Sequence, residues 1–219
     1  MLKLFFLPVS ENYRANWKVY LKTLPRNIQD EILRLKIPST QIQKTYAKIL
    51  LKQTLLGLGH PETILNEIEI SENGKPVIPS FSGDFNISHS ENLIALIVSD
   101  KPGAGIDVEK IRPVNPAGFT HYFSHEEWQW IMNANERENT LLKCWTIKEA
   151  LLKARSTGFS DGIDNLSINY KGNTAQFLSH NNTYYWNHLD ICSAYIVCYA
   201  TCQKGVLPEI TVVNEVFFN

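Results

Sequence analysis

Leu93-Ile94-Ala95-Leu96-Ile97-Val98 is a nearly unbroken apolar run, bounded by polar residues and closed by Asp100-Lys101-Pro102-Gly103. A run of that length with turn chemistry behind it reads as a buried strand followed by a turn. The chain has the material to bury it. With 219 residues, 44% of them hydrophobic and 20% charged, it fits one ordinary domain or two small packed lobes, and not a disordered tail. Lys and Arg total 21 against 22 Asp and Glu, a net charge of -1. That balance gives no general attraction for nucleic acid or an anionic membrane, so an anionic ligand must be held by a local cluster.

Around this strand the pattern repeats. Residues 1–8 read as a first buried strand; the single positive charge and short apolar run cut by Pro8 do not make a signal peptide. Asn27 to Lys36 and Gln41 to Leu56 carry apolar residues at helical spacing and predict two helices separated at Pro38, the second ended by Gly57, Gly59 and Pro61. Ile64, Ile68 and Ile70 predict a short strand before a turn at Glu72-Asn73-Gly74. The second half predicts a strand at Gly105 to Glu109, helices around Ser124 to Asn133 and Leu141 to Arg155, and strands near Ile163 to Tyr170, Thr183 to His188 and Ser193 to Thr201. Both halves run strand, helices, strands. The expected fold is therefore α+β, with two similar α/β lobes spanning 1–102 and 103–219 and a ligand site at the seam between them.

Cys144, Cys192, Cys198 and Cys202 are too few and too unevenly placed for a disulfide scaffold, and predict ordinary buried thiols in a reducing cytoplasm. No stretch approaches the roughly 20 apolar residues that span a bilayer. The expected location is cytoplasmic.

Four groups of residues can carry chemistry. In Gly105-Ile106-Asp107-Val108-Glu109 the two carboxylates leave one face of a strand, Cα atoms roughly 6.6 Å apart, and can converge on a hard cation such as Mg2+. The plain alternative is a solvated strand face. Glu149 and Lys153 stand at i and i+4 on a helix: a third carboxylate and an ammonium one turn away, or a surface ion pair. Lys44, Lys48 and Lys52 form a basic stripe at helical spacing, either a solvated face or a phosphate receiver. His89 follows Asn86-Ile87-Ser88, where a structural histidine is the ordinary outcome. His121 and His125 lack the His-Glu-x-x-His order and a third ligand, which argues against zinc.

Taken in order, Gly74-Lys75-Pro76, Phe85-Asn86-Ile87-Ser88-His89-Ser90, Gly105-Ile106-Asp107-Val108-Glu109-Lys110, Phe123-Ser124 with Glu127, and Trp145-Thr146-Ile147-Lys148-Glu149-Ala150-Leu151-Leu152-Lys153 resemble a 4'-phosphopantetheinyl transferase of the surfactin-synthetase-activating (Sfp) type. The resemblance implies two similar lobes in a pseudo-twofold arrangement, coenzyme A between them, and Mg2+ held by Asp107, Glu109 and Glu149. It implies that Lys153 touches the attacked phosphate or the leaving group; the carboxylate expected to accept the serine proton is Glu149, directly or through metal-bound water. Lys44, Lys75, Ser88 and His89 would hold the nucleotide end. The implied partners are apo acyl or peptidyl carrier proteins, with no nucleic acid or membrane and with a monomeric enzyme. Two departures stand out: lysine at Lys44 where arginine is usual, and Ser156-Thr157-Gly158 where Gly-x-Gly is usual. Rival readings from the residues are a Mg2+-dependent phosphohydrolase and a non-catalytic binding module for coenzyme A or a carrier.

Overall fold

The computed structural model describes residues 1–156, 163, 166–177 and 182–214. The chain opens with β1 (Leu2–Pro8), α1 (Glu11–Leu21), α2 (Arg26–Leu33) and α3 (Pro38–Gly57), then a small hairpin of β2 (Glu69–Ile70) and β3 (Pro76–Val77), then β4 (Asp84–Ser90) and β5 (Leu93–Ser99). Beyond Pro102 come β6 (Ala104–Lys110), α4 (His125–Met132), α5 (Arg137–Arg155), β7 (Leu166–Asn169), β8 (Thr174–Phe177), β9 (Thr183–Leu189), β10 (Tyr195–Thr201) and β11 (Glu209–Val212). The fold is mixed α+β. One sheet has the order β11-β1-β5-β4 and the other β6-β10-β9-β8-β7.

The apolar run at Leu93 is the middle of the first sheet, and every residue of β5 is buried. Ile94, Leu96 and Val98, with Phe5 and Leu7 of β1, pack against the helices through Tyr46 and Leu50. Leu93, Ala95 and Ile97, with Leu2, Leu4 and Phe6, share a core with Ile106 and Val108 of β6 and with Val197 and Tyr199 of β10. Helices cover one face and the second sheet covers the other, so the strand tolerates no polar side chain on either. The far side of the second sheet, at Cys198 and Ala200, meets α5 at Ile147, Ala150, Leu151 and Ala154.

Several expectations change. Pro38 does not merely separate two helices; it is the first residue of α3, where its fixed φ and missing N–H cost nothing. Helix α1 is hard to read because Tyr13, Ala15, Trp17 and Val19 alternate at the period of a strand; Ser10 caps it, its hydroxyl accepting from the Tyr13 N–H. The short strand expected before the turn at Glu72-Asn73-Gly74 is confined to β2 at Glu69–Ile70, while Ile64–Glu67 is a 3-10 turn that buries Ile64 and Leu65. The strand read from Ile163 is described from Leu166. Cys192 and Cys202 are exposed, since they sit in the turn before β10 and just past its end; Cys144 and Cys198 are the buried thiols, and all four are free. The closing strand β11 lies in the sequence of the second half yet pairs in parallel with β1, Lys3 opposite Glu209 through Phe6 opposite Val212.

The two sheets meet edge to edge at β4 and β6. Side-chain oxygens on alternate β4 residues accept from alternate β6 N–H groups: Asp84 from Ala104 (2.9 Å), Asn86 from Ile106 (3.0 Å), Ser88 from Val108 (3.3 Å) and Ser90 from Lys110 (3.0 Å). This side-chain ladder satisfies donors that the interior would otherwise strand. It also fixes the register of β6 against β4, and so the place of Asp107.

Gly105 sets the distance of α5 from β6. A Cβ there would lie 2.1 Å from the Ala150 carbonyl oxygen and 2.4 Å from the Ala154 nitrogen, both backbone atoms of the helix. Gly105→Ala must therefore push α5 off the sheet. We expect a loss of about 1–3 kcal/mol in denaturant unfolding together with lost activity, because Glu149 and Lys153 ride on that helix. Unchanged stability would mean the helix yields without strain. No helix among the described residues is long and apolar enough to cross a membrane.

Candidate functional site

The centre of the site is Asp107, only 4% exposed on β6. Its Oδ1 accepts from the Ser88 hydroxyl at 2.8 Å and from the Lys153 ammonium at 2.7 Å, while Lys153 also reaches the Ser88 oxygen at 3.2 Å. The other carboxylate oxygen, Oδ2, is buried and has no hydrogen-bond partner among the described residues. A buried charged oxygen without a donor is costly.

Glu109 lies two residues on, on the same face, and accepts a hydrogen bond from the Trp145 side chain. Phe119 and Tyr122 hold that indole edge to face, ring centroids 5.3 and 4.9 Å away. The tryptophan that opens the α5 motif is thus a clamp on the second carboxylate. Burial and then the charge of Asp107 push the Glu109 carboxyl above its ordinary range. Glu149 faces the same cluster from α5, 3.9 Å from Lys153. Burial raises it to about 7; Lys153 pulls the other way, and Asp107 and Glu109 add to the rise. Three carboxylates therefore repel one another around one ammonium. Among the described residues, no three His, Cys, Asp or Glu side chains are close enough together to hold a metal ion as they stand, and Oδ1 of Asp107 is occupied by Lys153.

A cleft of about 350 Å³ opens beside this cluster, lined by Glu31 of α2, Lys44 and Lys48 of α3, Gly74, Pro76 and, on β4, Asn86 and His89. The basic stripe divides here. Lys44 and Lys48 face the cleft, while Lys52 turns to Glu62 at 3.0 Å and to the Thr23 carbonyl. Burial, with the charges of Lys44 and Lys153, lowers the His89 imidazole below its usual range. A smaller cavity of about 170 Å³ shares Gly74, Pro76 and Asn86 with the cleft and leads to Glu149 and Lys153. The two cavities thus have three lining residues in common, and Glu149 lines the smaller one.

Lys75 and Ser88 are both buried, and Lys75 lines the smaller cavity together with Glu149 and Lys153. The Lys75 ammonium bonds Asp84 at 2.7 Å and Ser156 Oγ at 3.0 Å, with the Ala104 carbonyl at 3.4 Å, which uses its three donors. Ser156 caps α5 in the left-handed conformation at φ 68°, and its hydroxyl is what ties the helix end to Lys75. Thr157 and Gly158 lie outside the described residues. Glu127 is likewise engaged: it forms a capping box with Ser124, pairs with Lys148 at 2.8 Å and accepts from Tyr170 at 2.6 Å. These contacts pin α4 to α5. His125 bonds Gln129 and meets no metal-binding neighbours among the described residues.

Sequence reasoning missed Asp84, which holds Lys75 and also accepts from the Gly103 and Ala104 N–H groups. The signal was present in the alternation of oxygen-bearing residues at 84, 86, 88 and 90, which demands a common partner on one side of the strand.

Residues 103–200 match the family model described as the 4'-phosphopantetheinyl transferase superfamily. The chain is similar to 4'-phosphopantetheinyl transferases of the Sfp type. It is 38% identical over 104 residues to the 4'-phosphopantetheinyl transferase psf-1 of Bacillus pumilus, covering 45% of this chain and 43% of that one. It is 32% identical over 100 residues to 4'-phosphopantetheinyl transferase Sfp of Bacillus subtilis strain 168, covering 44% of each. A relative in Haemophilus influenzae is 31% identical over 150 residues, 63% of either chain. The chain thus spans less than two thirds of the length of these relatives. The segment matched by the superfamily model contains Asp107, Glu109, Glu149 and Lys153.

Proposed function

We propose that this protein transfers the 4'-phosphopantetheine group of coenzyme A to a serine hydroxyl of an apo acyl or peptidyl carrier protein, releasing adenosine 3',5'-bisphosphate. The observation that carries the reading is the joining of two unlike sites. A basic cleft sized for part of a nucleotide shares Gly74, Pro76 and Asn86 with a cavity lined by Glu149 and Lys153. A phosphohydrolase acting on a simple phosphate needs no such cleft, and a binding module needs no buried carboxylates gathered around a lysine. Similarity to the psf-1 and Sfp proteins supports the same choice.

In this reading Lys44 and His89 hold the nucleotide end and Lys153 meets the diphosphate. Lys75 and Ser88 act by position: one anchors the turn into β6 and the end of α5, the other fixes Asp107. The donor set of Asp107, Glu109 and Glu149 is all oxygen and includes an orphaned carboxylate oxygen, which fits Mg2+. Such an ion neutralises charge on a diphosphate and lowers the barrier to its displacement. The serine oxygen bonds to the phosphorus of the pantetheine phosphate as the bond from that phosphorus to the bridging oxygen breaks. Glu149 takes the serine proton, and Lys153 offsets the charge that gathers on the leaving bisphosphate.

We read the chain as two lobes, 1–102 and 103–219 in sequence; the presence of two sheets supports this, although β11 pairs with β1 of the first. We read the enzyme as a cytoplasmic monomer serving polyketide, peptide or fatty-acid carriers and engaging neither membrane nor nucleic acid. Incubation with coenzyme A, Mg2+ and a panel of apo carriers, followed by mass spectrometry, tests the activity. The expected result is one arm-sized mass gain on a carrier serine. Free phosphopantetheine without carrier modification would turn the reading toward a phosphohydrolase, and no product with any carrier would turn it toward a binder.

A further inference from the structure

Buried and half-buried ammonium groups near the site are paired with carboxylates. Lys75 meets Asp84, Lys148 meets Glu127, Lys153 meets Asp107 and Lys52 meets Glu62, all within 3.0 Å. Lys44 and Lys48 are the contrast. Both are half-buried and line the 350 Å³ cleft, and among the described residues no hydrogen bond or close ion pair engages either. An ammonium group withdrawn from water without a partner is unfavourable. Two of them, one helical turn apart on the same face of α3, are two unanswered charges facing one space.

We propose that Lys48 acts with Lys44 as the second cation of a phosphate subsite in this cleft, and that it sets the preference for a ligand bearing a dianionic phosphomonoester. This rests on the coenzyme A reading and assigns to Lys48 the recognition of the ribose phosphate. A single ammonium answers only about half the charge of a phosphomonoester, which carries about −1.5 to −2 at neutral pH. A pair at i and i+4 matches it.

The surroundings make this recognition sensitive to pH. Burial lowers Lys48 to about 8; Glu31, facing it from α2, works upward, and Lys44 works downward. His89 faces the same cleft from β4 with its own pKa lowered, so it adds little positive charge at neutral pH. The positive charge of the cleft therefore comes from the two lysines, against the single carboxylate of Glu31. A dianion favours the protonated form of Lys48, so binding near pH 8 should take up a proton.

The test is calorimetric titration with coenzyme A and with dephospho-coenzyme A, at pH 7 and pH 9, for the parent, Lys48→Met and Lys48→Arg. Melting temperatures establish that each variant is folded. The parent should prefer coenzyme A by at least about tenfold at pH 7, the ordinary worth of a charge-assisted hydrogen bond, and by less at pH 9. Lys48→Met should lose about tenfold of that preference and its pH dependence. Lys48→Arg should keep the preference at both values, because guanidinium stays charged. A Lys48→Met protein with the parent's preference would overturn the assignment, as would a parent that binds both ligands equally. A parent that binds neither ligand would overturn the coenzyme A reading itself, a failure distinct from that of Lys48 alone.

Discussion

Lys153→Ala is expected to slow modification of an apo carrier by about 100-fold to 1000-fold, the usual loss when one preorganised charge is removed from a transition state. Coenzyme A affinity should change far less, since the charge matters most as the leaving bisphosphate gains negative charge. The structure adds a second expectation. Lys153 is not only the i+4 partner of Glu149 at 3.9 Å; its close partner is buried Asp107 at 2.7 Å. Its loss leaves a carboxylate in the seam with the Ser88 hydroxyl as its one remaining side-chain donor among the described residues, and breaking a buried pair in this way costs about 3–5 kcal/mol. Melting temperature should therefore fall with activity, and the single variant cannot separate chemistry from stability.

The double variant Asp107→Asn with Lys153→Met separates them. Removing both charges takes away the penalty of the unpaired one, so the melting temperature should return most of the way to the parent's. Turnover should stay lost, because neither the cation nor its carboxylate is present at the phosphate. If the double variant recovered stability and turnover together, Lys153 would be a structural lysine. The phosphoryl-transfer role assigned to this helix would then fall.

The legible parts of this chain were those where one physical demand fixes one residue type. Leu93 to Val98 must be apolar throughout because both faces of β5 are covered, and the alternation through Asp107 and Glu109 follows from the pleat of β6. Glu149 and Lys153 share a helix face by spacing alone. What stayed hidden depends on partners distant in sequence. Lys75 looks like any loop lysine until β4 brings Asp84 and the end of α5 brings Ser156, and Lys44, Lys48 and Lys52 look alike until Glu62 claims the last. The return of β11 to β1 carries no local signal, because parallel pairing needs a partner more than two hundred residues away. Alternating oxygen-bearing side chains in β4 were visible, but their use as a ladder required knowing that β6 lies alongside.

Glu149→Gln should remove most turnover and also change how stability depends on pH. The parent carboxyl sits near 7 against an ordinary value of 4.5, raised first by burial, opposed by Lys153, and raised further by Asp107 and Glu109. Between those two values the folded protein holds a proton that the unfolded chain has released. Stability therefore falls as pH rises through that window and levels off above about 7, where the native carboxyl has also ionised. Replacing the carboxyl by an amide removes this titration, so the variant should lack that part of the decline and be more stable than the parent at pH 8. A divalent ion held by these oxygens favours the ionised form. Saturating Mg2+ should then flatten the parent's profile, release protons on binding at pH 6.5, and do neither in the variant. Turnover of the parent at limiting Mg2+ should climb from pH 6 to pH 8 as Glu149 becomes able to accept the serine proton. Thermal unfolding across pH 4.5 to 8, with and without Mg2+, is the deciding measurement. A Glu149→Gln protein with the parent's decline and the parent's response to Mg2+ would exclude Glu149 both as a ligand of the ion and as the acceptor of the proton.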